Sequence, residues 1–209
     1  MNKRPFPSSS IEIVIASTNV HKIHEFKTML KSFEGLDMLS LCDFPHYTPP
    51  EETGTTFEEN AILKAVHAAQ ALNRWAIADD SGLVVPALHG APGVFSARYA
   101  GNDASDLDNR KKLLSEMRHL LEEDRHAYFE CCLALASPAG LKKAVHGACE
   151  GTIILQEKGG GGFGYDSLFV KYGYNKTFAE LEESVKNRVS HRRKALDKLM
   201  RTLDSILTA

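Results

Sequence analysis

Apolar runs separated by polar breaks alternate with stretches of helical periodicity along this chain. Residues 11–16 form a short apolar run of the kind a buried strand presents. The run stops at Ser17-Thr18-Asn19. From about residue 20 to 33, Ile23, Phe26, Met29, Leu30 and Phe33 then recur on one helical stripe. A second short strand is predicted over 37–41, followed by a loop containing Pro45, Pro49 and Pro50. A second helix is predicted over 56–72, with Thr55 and Glu58 as its capping box and Phe57, Ala61, Ala65, Ala68 and Leu72 as its stripe. Residues 75–78 read as a buried strand that delivers Asp79 and Asp80 to a turn, after which 83–85 resumes apolar. A third helix over 106–121 carries Leu107, Leu113, Leu114, Met117, Leu120 and Leu121, and is assigned to structure alone. Strands follow over 128–136, 143–145 and 151–155, with Pro138-Ala139-Gly140 as a turn, so an antiparallel arm is expected. A short strand at 168–170, a helical turn at 177–183 and a last helix from about Ser190 complete the pattern. Leu196, Leu199, Leu203, Ile206 and Leu207 give that last helix its apolar face. Strands interleaved with helices point to an α/β fold.

Composition narrows this picture. A chain of 209 residues, 43% hydrophobic and 25% charged, is long enough for one large domain or two closely packed lobes. Residues 1–10, with two prolines and three serines, are expected to be a mobile tail before a single domain over 11–209. The net charge of -2 provides no basic field, which argues against a nucleic-acid partner. No apolar run reaches membrane-spanning length, so no membrane partner is expected. Cys42, Cys131, Cys132 and Cys149 show neither a CxxC nor a zinc spacing and read as buried thiols of a reducing compartment.

Candidate chemistry gathers in a few stretches. Adjacent acids at Asp79-Asp80 repel each other and cost desolvation energy unless paired, and a divalent metal is the usual remedy. A solvated turn is the simpler alternative. The 11–33 segment aims backbone N–H groups and a helix N-terminus at one point, with Lys22 in the first turn, which favours an anion such as phosphate. It is not a P-loop, because the glycine pattern is absent, and Ser17 or Asn19 acting as a helix cap explains the same residues. Thr56, Asn60 and Lys64 form a polar row that either meets phosphate and water or is simply solvated. The Gly90–Gly101 segment, with Ser96, Arg98 and Tyr99, suits a ligand rim or a subunit contact. In Gly162-Phe163-Gly164-Tyr165-Asp166, two aromatics beside an acid suit stacking on a base and accepting its N–H groups. Lys186, His191 and Arg192 place cations near the start of the last helix, where the dipole disfavours them, which points to an anionic or carbonyl-bearing partner; with Arg193 and Lys194 beside them, a surface simply rich in basic residues is the alternative.

Taken together, these blocks resemble the inosine triphosphate pyrophosphatase family. The matching segments are Ala16-Ser17-Thr18-Asn19 with Lys22, Glu51-Glu52-Thr53-Gly54 with Asn60 and Lys64, Asp79-Asp80-Ser81-Gly82, Ser96-Ala97-Arg98-Tyr99, Phe163-Gly164-Tyr165-Asp166, and Lys186 with Ser190-His191-Arg192. The resemblance implies an elongated mixed β-sheet flanked by helices, with two lobes and a central cleft. It implies Mg²⁺-dependent hydrolysis of a purine nucleoside triphosphate (ITP, dITP or XTP) to the monophosphate and pyrophosphate, by a cytoplasmic homodimer. It implies Asp80 as the catalytic carboxylate, also at the metal, and Glu51 or Glu52 as a further metal ligand. Ser17, Thr18, Asn19 and Lys22 would meet the phosphates, with Lys64 and Ser81 nearby. Phe163, Gly164, Tyr165, Asp166, Lys186, His191 and Arg192 would line the base pocket. Three departures stand out: Thr18 and His21 replace frequent glycines, which implies a tighter phosphate loop, and Ser167 replaces a usual proline, which implies a looser side to the base pocket. A pyrophosphatase for pyrimidine or modified nucleotides, and a nucleotide-sensing module without catalysis, are the alternatives.

Overall fold

The computed structural model describes residues 10–31 and 33–208. Apart from Ser10, the tail expected over residues 1–10 lies outside the described residues. Six strands form one mixed sheet in the order β2-β1-β3-β4-β5-β6, with helices α1 to α5 between and after them. The strands are β1 Ile11–Ile15, β2 Leu36–Ser40, β3 Trp75–Val84, β4 His126–Ser137, β5 Gly140–Ile153 and β6 Phe169–Lys171. The helices are α1 Val20–Leu30, α2 Phe57–Leu72, α3 Asp106–Met117, α4 Glu183–Val189 and α5 His191–Leu207. β1 pairs in parallel with both β2 and β3, and β6 pairs antiparallel with β5.

Two compact units divide the chain. The first comprises the chain up to Asp79, Cys132–Val145 and the part from Leu196 onward; the second comprises Asp80–Cys131 and His146–Ala195. In the first unit, Ile13, Val14 and Ile15 of β1 and Ala76, Ile77 and Ala78 of β3 are all buried. Such unbroken apolar runs are what strands covered on both faces require. Phe26, Met29 and Leu30 of α1, Ala61, Ala65 and Ala68 of α2, and Leu199 and Leu203 of α5 complete that unit's apolar interior. In the second unit Leu83, Leu113, Met117, Phe129, Phe169 and Phe178 belong to one buried cluster. Within it the Phe129 ring stacks on Phe178 at 5.9 Å and meets the edge of Phe169 at 4.8 Å.

Four expectations shift. β3 does not end at Ala78 but runs through Asp79, Asp80, Ser81 and Gly82 to Val84, so the acid pair lies within a strand and not in a turn. The return strands at 143–145 and 151–155 are one strand of 14 residues, β5. α3 stops at Met117, short of Leu121, which is 63% exposed; within the helix Leu107 is 45% exposed, while Asn109 takes a buried position one turn before Leu113. Of the four cysteines, Cys42 is exposed; Cys131, Cys132 and Cys149 are buried, and burial pushes the Cys149 thiol up to about 11.

α2 also starts one residue later than its sequence pattern implies. Thr56, not Thr55, is the N-cap, and Glu59, not Glu58, closes the capping box. The Glu59 carboxylate accepts the Thr55 N–H at 2.7 Å, the Thr55 hydroxyl at 3.1 Å and the Thr56 N–H at 3.3 Å. The Thr55 backbone bond is the main cause that holds Glu59 below its usual value of 4.5. A depressed carboxylate contributes its stability fully above the unfolded-state value and loses it as pH falls through the folded-state value. Glu59→Gln should therefore melt below the parent protein at pH 7, and the gap should close as pH is lowered below about 4.5. Melting curves from pH 7 to 3 measure this; a gap that stays constant would assign the helix start to Thr56 alone.

Candidate active site

The first unit holds the residues expected to meet phosphate. Asn19 caps α1, and its Oδ1 accepts the N–H groups of His21 at 3.0 Å and Lys22 at 3.1 Å. Ser17 Oγ accepts the Asn19 N–H at 3.2 Å. Both side chains thus shape the turn that presents the start of α1, while Thr18 is exposed. Lys22 sits one turn into α1 with its Nζ 3.1 Å from Asp79 Oδ1. The Asp79 side chain is fully buried and that of Lys22 is 15% exposed, so the ion pair is largely out of water. Asp79 is therefore the ion-pair partner of Lys22, although sequence reasoning treated it only as a neighbour of Asp80. Consecutive strand residues point to opposite faces, so Asp79 and Asp80 do not share a side of β3. Their mutual repulsion, taken above as a reason for a metal, is correspondingly weaker.

A second lysine is also paired. Lys64, from α2, donates to Glu52 Oε1 at 2.7 Å, whereas Glu51 is exposed. The loop carrying these acids is fastened to the start of α2. Asn60, wholly buried, accepts the Gly54 N–H at 2.8 Å. Asn60 is thus a clamp for the acidic loop, not a member of a phosphate-binding row.

The second unit holds Asp80, Ser81, which was expected near the phosphates, and the residues expected at the base. Asp80 is buried at 6% exposure, and the next residue, Ser81, accepts Arg192 Nη2 at 3.0 Å. Among the described residues, Arg192 is the largest side chain that is fully buried, at 1% exposure. Asp166 Oδ2 accepts Lys186 Nζ at 2.5 Å and the Phe163 N–H at 3.0 Å. Lys186 Nζ also lies 4.8 Å from the Phe163 ring centroid, a cation–π contact that braces a half-buried aromatic. Gly162 has a positive φ of 71° and a Cβ there would collide with Asp166 Oδ2, so only glycine fits. His191 is buried and stacks on Phe129, with centroids 4.9 Å apart. Gly164 is held by α3: its N–H donates to Asp106 Oδ2 at 2.7 Å and its carbonyl accepts Arg110 Nη1 at 3.0 Å. Tyr165 is buried in the apolar cluster, and its hydroxyl donates to the Ser96 carbonyl at 2.9 Å. The residue after Asp166 is not loose: Ser167 Oγ donates to Glu157 at 3.0 Å, and Glu157 in turn holds Arg110 at 2.8 Å.

Burying Arg192 and the Lys186–Asp166 pair costs several kcal/mol of hydration per ion, which good geometry only offsets. Such groups are what a site built to read a polar, planar ligand requires. Residues 13–202 match the sequence profile of the Ham1 family. The chain belongs to the Ham1 family. It is 61% identical to the dITP/XTP pyrophosphatase of Protochlamydia amoebophila (strain UWE25), over 94% of this chain and 99% of that protein. It is 57% identical to the dITP/XTP pyrophosphatase of Chlamydia abortus (strain DSM 27085 / S26/3), over 94% of this chain and 96% of that protein. Among solved structures, the Staphylococcus aureus Ham1 protein superposes with a TM-score of 0.81 at 43% identity, covering 93% of this chain and 98% of that one. A HAM1 protein from Coxiella burnetii superposes with a TM-score of 0.83 at 41% identity, covering 93% and 99%. The mixed α/β fold expected from the sequence is therefore the Ham1 fold.

The donor chemistry of this Ham1 family member sets limits on a metal. Among the described residues, no three His, Cys, Asp or Glu side chains converge to hold an ion. Glu52 is engaged by Lys64 and Asp79 by Lys22. That set fits a divalent cation that takes one or two carboxylates and its remaining ligands from substrate oxygens and water, not a closed protein cage.

Lys22→Met would leave the buried Asp79 carboxylate without its cation. It should cost about 3 kcal/mol of stability in urea unfolding. Adding Asp79→Asn to it should restore at least half of that loss. An unchanged midpoint for Lys22→Met would mean that the ion pair does not hold α1 to β3.

Proposed function

We propose that this protein hydrolyses non-standard purine nucleoside triphosphates (ITP, dITP and XTP) to the monophosphate and pyrophosphate, clearing them from the nucleotide pool. The observation that carries the reading is the 61% identity, over nearly the whole of both chains, to a protein named dITP/XTP pyrophosphatase. Residues 11–209 act as one catalytic domain. The protein works in the cytoplasm as a homodimer on a small-molecule nucleotide.

The chemistry needs charge neutralisation and an oriented water more than a covalent nucleophile. Bound Mg²⁺ would supply charge neutralisation on the phosphate oxygens, held by Asp80 and by Glu51 or Glu52. Asp80 accepts a proton from the attacking water. The start of α1, with Ser17, Thr18 and Asn19 shaping its turn, offers N–H groups and the positive end of the helix dipole to phosphate. Lys22 and Lys64 add positive charge, each held in place by its acid partner. At the base, Arg192, braced on Ser81, or a backbone N–H donates to the 6-oxo group of hypoxanthine or xanthine. Adenine would turn its 6-amino donors towards donors, a mismatch that a hydrogen-bonding site rejects strongly. Phe163, held by Lys186 and Asp166, offers its ring as a stacking surface. Guanine shares the 6-oxo group, so its rejection acts at the 2-position.

Pyrophosphate release from ITP, XTP, GTP and ATP, with Mg²⁺ and with EDTA, tests the reading. Strong metal-dependent release from ITP and XTP and little from GTP and ATP is expected. Asp80→Asn should still bind ITP and should lose at least about a hundredfold in kcat, the scale of a lost general base. Normal turnover in that variant would remove Asp80 from the mechanism, and release from none of the four would leave only a nucleotide-binding protein.

A further inference from the structure

The turn Gly93–Arg98 has no role in the reading above, yet separate parts of the second unit meet on it. Ser96 Oγ accepts the Leu83 N–H at 2.9 Å and donates to the Gly93 carbonyl at 2.6 Å. The Ser96 carbonyl accepts the Tyr165 hydroxyl at 2.9 Å. Ser96 is 8% exposed and Tyr165 3%, so water hardly competes for these bonds. β3 lies so close to the turn that a Cβ on Gly82 would collide with Ser96 Oγ and the Gly93 carbonyl. The turn is itself anchored. Asn109 of α3, 2% exposed, donates to the Ala97 carbonyl at 3.1 Å and accepts the Ala100 N–H at 2.8 Å.

Ser96 thereby joins two segments that the site also uses. Leu83 is two residues beyond Ser81, which Arg192 holds, and Tyr165 directly precedes Asp166, which holds Lys186. Burial pushes the Tyr165 phenol far above its usual range, so its hydroxyl remains a donor at any working pH. The Tyr165 ring lies among Leu113, Phe169 and Phe178 in the apolar cluster, so it is placed to brace the loop and not to stack on a ligand.

We propose that Tyr165 is a positioning residue: its bond to Ser96 sets the spacing between the loop that carries Asp166 and the strand segment that carries Asp80. The purine edge and the reacting phosphate are thereby presented at a fixed separation. This inference rests on the pyrophosphatase reading above. Base discrimination by hydrogen bonds holds only while the donors keep their positions. A displacement of about 1 Å away from the reacting atoms is enough to cost up to about a hundredfold in rate.

Tyr165→Phe removes one hydroxyl and keeps the ring in the core. Steady-state kinetics on ITP and GTP, run well below the melting temperature of each variant, read the effect. The expected result is a fall of about tenfold in kcat for ITP with KM within about twofold, and an ITP-to-GTP ratio of kcat/KM that narrows by a similar factor. Phe169→Leu, in the same cluster but outside the polar link, should lower the melting temperature and leave the ratio unchanged. A Tyr165→Phe enzyme that loses activity on both nucleotides in equal proportion, or loses only thermal stability, would make the bond purely structural and overturn the proposal. A parent enzyme with no preference for ITP over GTP would instead overturn the functional reading, and this inference with it.

Discussion

Alternation along β3 is the constraint from which the rest follows. A strand turns successive side chains to opposite faces, so Asp79 and Asp80, adjacent in the chain, are given different surroundings. The Asp79 side chain is fully buried and meets Lys22 at 3.1 Å. An unpaired carboxylate there would cost several kcal/mol, so the pair fixes where the first turn of α1 stands. Asp80 is also buried, at 6% exposure, but belongs to the second unit.

The same economy recurs in the acidic loop before α2. Glu59 and Asn60 use their side chains on the backbone of Gly54, Thr55 and Thr56, which leaves Glu51 and Glu52 at the loop's start. Lys64, one turn beyond Asn60, reaches back to Glu52. A lysine with an acid partner is held in place at lower entropic cost than one waving in solvent, and a polyanion can then draw it away from that partner.

In the second unit the polar side chains brace one another in a sequence of contacts. Arg192 meets Ser81, Leu83 meets Ser96, Ser96 meets Tyr165, and Asp166 meets Lys186. Most of these groups are buried, so each bond is stronger than its counterpart in water and each break more costly. The aromatic cluster beneath, with Phe129 against Phe169, Phe178 and His191, gives the polar layer a rigid floor.

Much was legible in the sequence because it depends on local periodicity. The strands at 11–15 and 75–78, the helices that became α1, α2 and α5, and the order of the functional blocks all follow from the spacing of apolar residues and from short motifs. Family membership was legible for the same reason, since ordered motifs survive in one dimension. Tertiary contact decided the rest. β3 continues through two acids and a serine because Lys22 and Arg192, far along the chain, satisfy polar groups that would otherwise end a buried strand. Asn60 and Asn109 look like surface polar residues in a helix, yet each is buried where an exposed backbone segment needs a donor or acceptor. Tyr165 sits in a motif that suggests a ligand, and only the Ser96 carbonyl, 69 residues away, shows where its hydroxyl goes. Periodicity records which side of an element faces the core; it carries no record of which distant polar group will be waiting there.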